Sequence, residues 1–143
     1  MKIIKINGDD SESLSVTLKD VLDCIDDNPN IYWGILWLEI VAKFDNSESV
    51  LDLERKINKS EMVSVIKLNE LIKLSSQIIQ GINVLIVGDK NSMNIRKYST
   101  DECMYANCGY VIELIDSSYW IINTNDNSLI ENIFKKLKGV EYE

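Results

Sequence analysis

YVIELIDSSYWIIN, residues Tyr110–Asn123, reads as two strands joined by a short turn. Tyr110–Asp116 and Tyr119–Asn123 carry the β-branched and aromatic residues that suit a pleated sheet. Asp116-Ser117-Ser118 between them is turn chemistry, and so short a connection joins two strands only as an antiparallel hairpin. Downstream, Ser128 and Glu131 have the spacing of a helix capping box. Leu129, Ile130, Ile133, Phe134 and Leu137 form an apolar stripe at helical period. Lys135, Lys136 and Lys138 sit where the helix dipole favours cations, and Gly139 stops the helix. Phe134 is expected in the core, at about 3 kcal/mol or more on truncation to Ala.

Upstream, Ile82–Val87 is apolar at nearly every position and predicts a strand covered on both faces. Met93–Tyr98 is a weaker strand candidate. Leu68–Gln80 predicts a helix with Gly81 at its end. Ile31–Phe44 is the longest strand candidate, and Val50–Ile57 alternates apolar and charged residues. The two are expected to pair as a long hairpin across the polar turn Asp45–Ser49. Trp33 and Trp37 are four apart, which places them on one face of an ideal strand. They read as sheet and core packing or, alternatively, as aromatic anchors of an interface. Thr17 with Asp20 caps a helix carrying Leu18, Val21, Leu22 and Ile25, ended by Asn28-Pro29. Lys2–Ile6 is a short strand turned by Asn7-Gly8. The expectation is an α+β fold, a mostly antiparallel sheet with about three helices packed against it, in a single domain spanning residues 1–143.

The chain carries a net charge of −8, which repels phosphate and anionic lipid. No nucleic-acid or membrane partner is expected, and no apolar run approaches the ~20 residues of a membrane span. The opening MKIIKINGDDSES is too short in apolar residues for a signal peptide, and a cytoplasmic location is expected. An acidic surface does attract a basic protein by long-range steering. The acids most concentrated in sequence are Asp9, Asp10 and Glu12, then Asp23, Asp26 and Asp27.

There is no histidine anywhere in the chain. That removes the commonest general base, every Ser-His-Asp or Cys-His arrangement and the commonest zinc ligand. Neither GxGxxG nor GxxxxGK[ST] occurs. The three cysteines, Cys24, Cys103 and Cys108, fit a reducing compartment, and Cys103 and Cys108 have no base beside them in sequence to activate a thiolate. No catalytic residue, metal or cofactor is expected, and a binding protein is the better reading than an enzyme.

Four phrases carry a family resemblance: LKDVLDCID, YWGILWLEI, NELIKLSSQIIQG and VIELIDSSYWIINTNDNSLIENIF. In their order along almost the whole chain they resemble the small immunity proteins encoded beside bacterial polymorphic toxins, including those of contact-dependent growth inhibition systems. The resemblance implies a protein that binds the C-terminal domain of its cognate toxin in the cytoplasm and neutralises it. Many such toxins are nucleases, whose basic surfaces an acidic inhibitor can cover. An acidic adaptor or regulatory domain with another protein partner is the alternative.

Overall fold

A computed structural model describes residues 2–8, 15–44 and 49–143. The chain is α+β, with β1 (Lys2–Ile6), α1 (Leu18–Leu22), β2 (Tyr32–Ala42), α2 (Val50–Lys59), α3 (Leu68–Ser76), β3 (Ile78–Asp89), a 3-10 turn at Ser92–Asn94, α4 (Asp101–Asn107), β4 (Tyr110–Ile115), β5 (Tyr119–Thr124), α5 (Asn127–Lys136) and β6 (Val140–Tyr142). The six strands make one antiparallel sheet in the order β2-β3-β4-β5-β1-β6.

The 110–123 hairpin forms as expected. Asp116 (φ 49°) and Ser117 (φ 57°) both take left-handed backbone, and the Ser118 N–H donates to the Ile115 carbonyl at 2.8 Å. The turn is tethered to β3: the Ser117 N–H donates to the Ile82 carbonyl, the Ser117 hydroxyl to the Gly81 carbonyl and the Asp116 N–H to Asn83 Oδ1. The capping box of α1 is complete, with Thr17 Oγ1 accepting from the Asp20 N–H and Asp20 Oδ2 from the Thr17 N–H.

Period-2 alternation gives the sheet two unlike faces. One carries Ile4, Ile6, Trp33, Ile35, Leu38, Val84, Ile86, Ile112, Leu114, Trp120 and Ile122. It is buried under Leu18, Val21 and Leu22 of α1, Leu68 and Leu71 of α3, and Leu129, Ile130 and Ile133 of α5. Trp33 lies across Gly88, its cross-strand partner, and reaches Tyr110 at 5.0 Å between ring centroids. A Cβ at Gly88 would come within 2.6 Å of that indole. On the opposite face a smaller cluster joins Leu36, Val87 and Val111 to Ile95, Met104 and Cys108. It covers only part of that face.

Several expectations change. Val50–Ile57 is helix, not the second arm of a hairpin. Its apolar residues Val50, Leu53 and Ile57 recur every three or four positions and pack toward the core, while Asp52, Arg55, Lys56 and Lys59 are exposed and the half-buried Glu54 accepts from the Ile40 N–H of β2. The same sequence fits both periods, and Ser49, whose hydroxyl accepts from the Asp52 N–H, starts the helix. The expected Leu68–Gln80 helix stops at Ser76 and the chain enters β3 at Ile78. The strand candidate Met93–Tyr98 is a 3-10 turn followed by loop. The cap of α5 is Asp126, whose Oδ1 accepts from the Leu129 N–H, rather than Ser128. Phe134 is 39% exposed and stacks on Tyr142, so it is not core, whereas Ile133 is fully buried.

The sheet ends differ as well. α2 lies along the outer side of β2, where the Asn58 amide donates to the Leu38 carbonyl and accepts from the Leu38 N–H, both at 2.8 Å. A side-chain amide thereby mimics a neighbouring strand and occupies an edge that could otherwise pair with another chain.

Candidate functional site

A β-bulge in β2 decides which side chains the second face of the sheet carries. The register shifts between Ile35 and Trp37, so two residues of β2 oppose one of β3. The bulge moves Trp37 to the face opposite Trp33. Trp33 is therefore 1% exposed in the core, while Trp37 is 41% exposed. The expectation that they share a face fails for this reason. Lys97 holds the bulge: its ammonium donates to the Leu36 carbonyl at 2.6 Å and to the Ile57 carbonyl, in the last turn of α2, at 2.9 Å. Partial burial lowers the Lys97 pKa.

The face that Trp37 joins is covered only in part. Strand registers align Glu141, Lys5, Ile121, Glu113, Leu85 and Trp37 in one row from β6 to β2. With strands ~4.8 Å apart the row runs roughly 24 Å. Tyr119, Ile115, Asn83 and Glu39 extend the face beside it. The neighbouring row on the other side, Asn123, Val111, Val87 and Gly34, is buried beneath the smaller cluster. α4 thus stands along one border of a half-exposed row whose ends, Trp37 and Glu141, are exposed.

The polar groups of this surface are uneven. The Trp37 indole N–H donates to Glu39 Oε1 at 2.7 Å, which fixes the exposed ring. The Lys5 ammonium lies 4.5 Å from the centroid of the Tyr119 ring. Glu113 is half-buried at the centre of the row, and its carboxylate has no hydrogen bond or ion pair among the described residues. Burial, and then the charge of Asp101 in α4, hold its carboxyl above the usual carboxylate range. The Tyr105 hydroxyl is likewise raised, by burial first and then by Glu113 and Asp101. Trp37, Leu85, Lys97 and Asp101 line a recess of about 310 Å³ between the sheet and α4.

The sequence-expected contact residues are not gathered in one place. Asp9, Asp10 and Glu12 lie outside the described residues. Asp23 is exposed and paired with Lys19 at 2.7 Å. Asp26 is bonded to the Ser128 hydroxyl and to the Asn132 amide, which ties the end of α1 to α5. Asp27 is exposed. These three belong to the helical layer over the covered face, on the far side of the sheet from Trp37. Glu113, Glu39 and Asp101 were not singled out in the sequence. Glu113 was the detectable one, being the lone charge in YVIELI, a strand otherwise wholly apolar or aromatic.

Among the described residues no three Cys, Asp or Glu side chains converge to hold a metal ion. Cys24 and Cys108 are buried, and burial pushes both thiols up, away from the reactive thiolate. The Tyr110 hydroxyl donates to Asp126 Oδ2, so that one carboxylate serves both this tyrosine and the cap of α5. No helix among the described residues is long and apolar enough to cross a membrane. No protein-family model matches the chain, and neither does any curated protein or solved structure with which it was compared.

Proposed function

We propose that this protein is a cytoplasmic immunity protein that binds a cognate toxin domain, a basic nuclease, one to one and neutralises it through the open half of the sheet. The observation that carries this reading is that open half: a floor of aromatic and apolar residues, with an exposed tryptophan at one end and carboxylates along it. An exposed, rigid indole beside apolar neighbours is the composition of an interface core. The excess of carboxylates, with a net charge of −8 overall, suits a partner whose surface attracts phosphate. The resemblance of its sequence phrases to those of toxin-immunity proteins suggests the biological setting.

Co-expression in cells tests the reading. The toxin domain encoded next to this chain's gene is expected to kill alone and to be harmless when this protein is made with it. Killing that persists with both proteins present, or the lack of a complex at micromolar concentration, overturns it and favours the adaptor alternative.

A further inference from the structure

We infer that β6 takes up an added strand from a basic protein partner, antiparallel to β6, with a lysine or arginine opposite Glu141 and apolar side chains beside Val140 and Tyr142. This contact goes beyond the open-face reading. It lies at the other end of the row that begins at Trp37, and its backbone chemistry does not depend on that reading.

The two outer strands of the sheet, β2 and β6, differ in what their outward backbone groups meet. On β2, Trp33 exchanges both backbone hydrogen bonds with Ile66, Asn58 serves both groups of Leu38, and Glu54 accepts from the Ile40 N–H. On the β6 side, the Asn7 N–H donates to the Gly139 carbonyl and the Glu143 N–H to the Ile3 carbonyl, both at 2.9 Å. Hydrogen-bonded pairs alternate along an antiparallel ladder, so Gly139, Glu141 and Glu143 turn their backbone groups toward β1. Val140 and Tyr142 turn theirs outward, and among the described residues these groups have no partner. Two donors and two acceptors thus lie along one edge at the spacing of a strand, which is the template for strand addition. The entry to β6 is fixed: Gly139 takes left-handed backbone (φ 68°), and a Cβ there would collide with the Gly8 backbone.

The side chains of β6 select the strand that fits. Glu141 is exposed on the face of the Trp37 row. Its cross-strand neighbour Lys5 lies over the Tyr119 ring, and Glu141 Oε1 accepts from the Asn7 amide at 3.2 Å. Among the described residues no cation pairs with Glu141. A strand bonded antiparallel to Val140 and Tyr142 sets one residue directly opposite Glu141, in the closer, non-hydrogen-bonded kind of pair. Opposite charges attract there and like charges repel. Two copies of β6 joined in this way about a two-fold axis would set Glu141 against Glu141, so a second copy of this chain fits poorly and a basic segment fits well. On the other face of β6, Tyr142 stacks on Phe134 and both rings are exposed. The residues flanking the cation are therefore apolar, and the occupant alternates apolar, basic and apolar. The net charge of −8 adds long-range attraction for such a partner.

The test uses the intact protein and three capped heptapeptides, followed by NMR. One carries lysine at its centre between two valines, with threonines outside them. The second has glutamate in place of the lysine, and the third is the lysine peptide N-methylated at both valines. The lysine peptide is expected to give saturable shifts of the Val140 and Tyr142 amides and to slow their exchange with solvent. The glutamate peptide should bind about fivefold more weakly or worse. The N-methylated peptide lacks the two N–H donors and should not bind. Glu141→Lys should reverse the preference between lysine and glutamate, a reversal that unfolding cannot produce. The absence of saturable shifts at Val140 and Tyr142 with millimolar peptide, equal binding of the N-methylated peptide, or a preference unmoved by Glu141→Lys would each overturn the inference. So would dilution-dependent shifts of these amides without peptide, the mark of pairing between copies. Because the probes are not the toxin domain, the peptide result and neutralisation in cells stand or fall separately.

Discussion

Trp33 and Trp37 have the same side chain on the same strand, and one bulge gives them opposite tasks. Trp33 fills the space over Gly88 and touches Tyr110. Its truncation to Ala should cost about 3–5 kcal/mol, the usual range for a buried aromatic. Trp37→Ala should cost about 1 kcal/mol or less, and urea unfolding of the two variants measures the contrast. Equal losses would contradict the opposed orientation. Glu113 provides the pH counterpart. Its folded-state carboxyl is held above the ordinary range. As pH rises from below the ordinary value, the unfolded chain releases this proton first, so stability conferred by the protonated form is lost as pH climbs through the raised value. Glu113→Gln removes that loss. Its melting temperature, relative to the native protein, should therefore rise between acid and neutral pH. A difference that is flat with pH would contradict the burial of this carboxyl. A charge that costs stability in the free protein is the kind of local inconsistency that marks a binding surface.

α2 shows why part of the fold was legible in the sequence and part was not. Strands with apolar residues at nearly every position, such as Ile82–Val87, and a helix with its capping pair, such as Thr17 and Asp20, announce themselves locally. Val50–Ile57 does not, because alternating charges satisfy a half-exposed strand and an amphipathic helix alike. What resolves the ambiguity is distant: Asn58 meets Leu38, twenty residues away, and no local pattern records that. Asn58→Ala should leave the Leu38 N–H and carbonyl unpaired at the sheet edge, at about 1–3 kcal/mol. The Leu38 amide should also exchange with solvent much faster, and unchanged exchange would show that the edge is held otherwise. In α5 the helical stripe of apolar residues includes Phe134, which packs at the rim of the buried face rather than in it. Ile133→Ala should cost about 2–5 kcal/mol. Phe134→Ala should cost only about 1–1.5 kcal/mol, through its stacking on Tyr142. Thermal unfolding of the pair orders them, and a Phe134 loss equal to that of Ile133 would restore Phe134 to the core. The bulge at Ile35–Trp37 was the least visible feature, since a register shift leaves no mark in the strand's composition, and it is what creates the open aromatic face.

Across the whole molecule, the sheet joins the two ends of the chain. β1 and β6 pair with one another at one end of the strand order, and β5 connects them to the rest. Unfolding is therefore expected to be a single transition with equal calorimetric and van't Hoff enthalpies, and two separated peaks would contradict this. The sheet's two faces divide the work. One is buried beneath α1, α3 and α5, and the other is covered only in part, by α4 and its neighbours. The clustered acids after α1 stand over the first face, and Trp37, Glu39 and Glu113 stand on the second. That separation permits one decisive comparison, calorimetric titration of the purified toxin domain into the native protein and into Trp37→Ala, Glu113→Gln and Asp27→Asn. If the open face binds the toxin, Trp37→Ala and Glu113→Gln each weaken binding by about 2 kcal/mol, roughly thirtyfold. Asp27→Asn then changes it by less than about 0.5 kcal/mol. Binding that is lost with Asp27→Asn and kept by both open-face variants would contradict the assignment and move the interface to the helical layer.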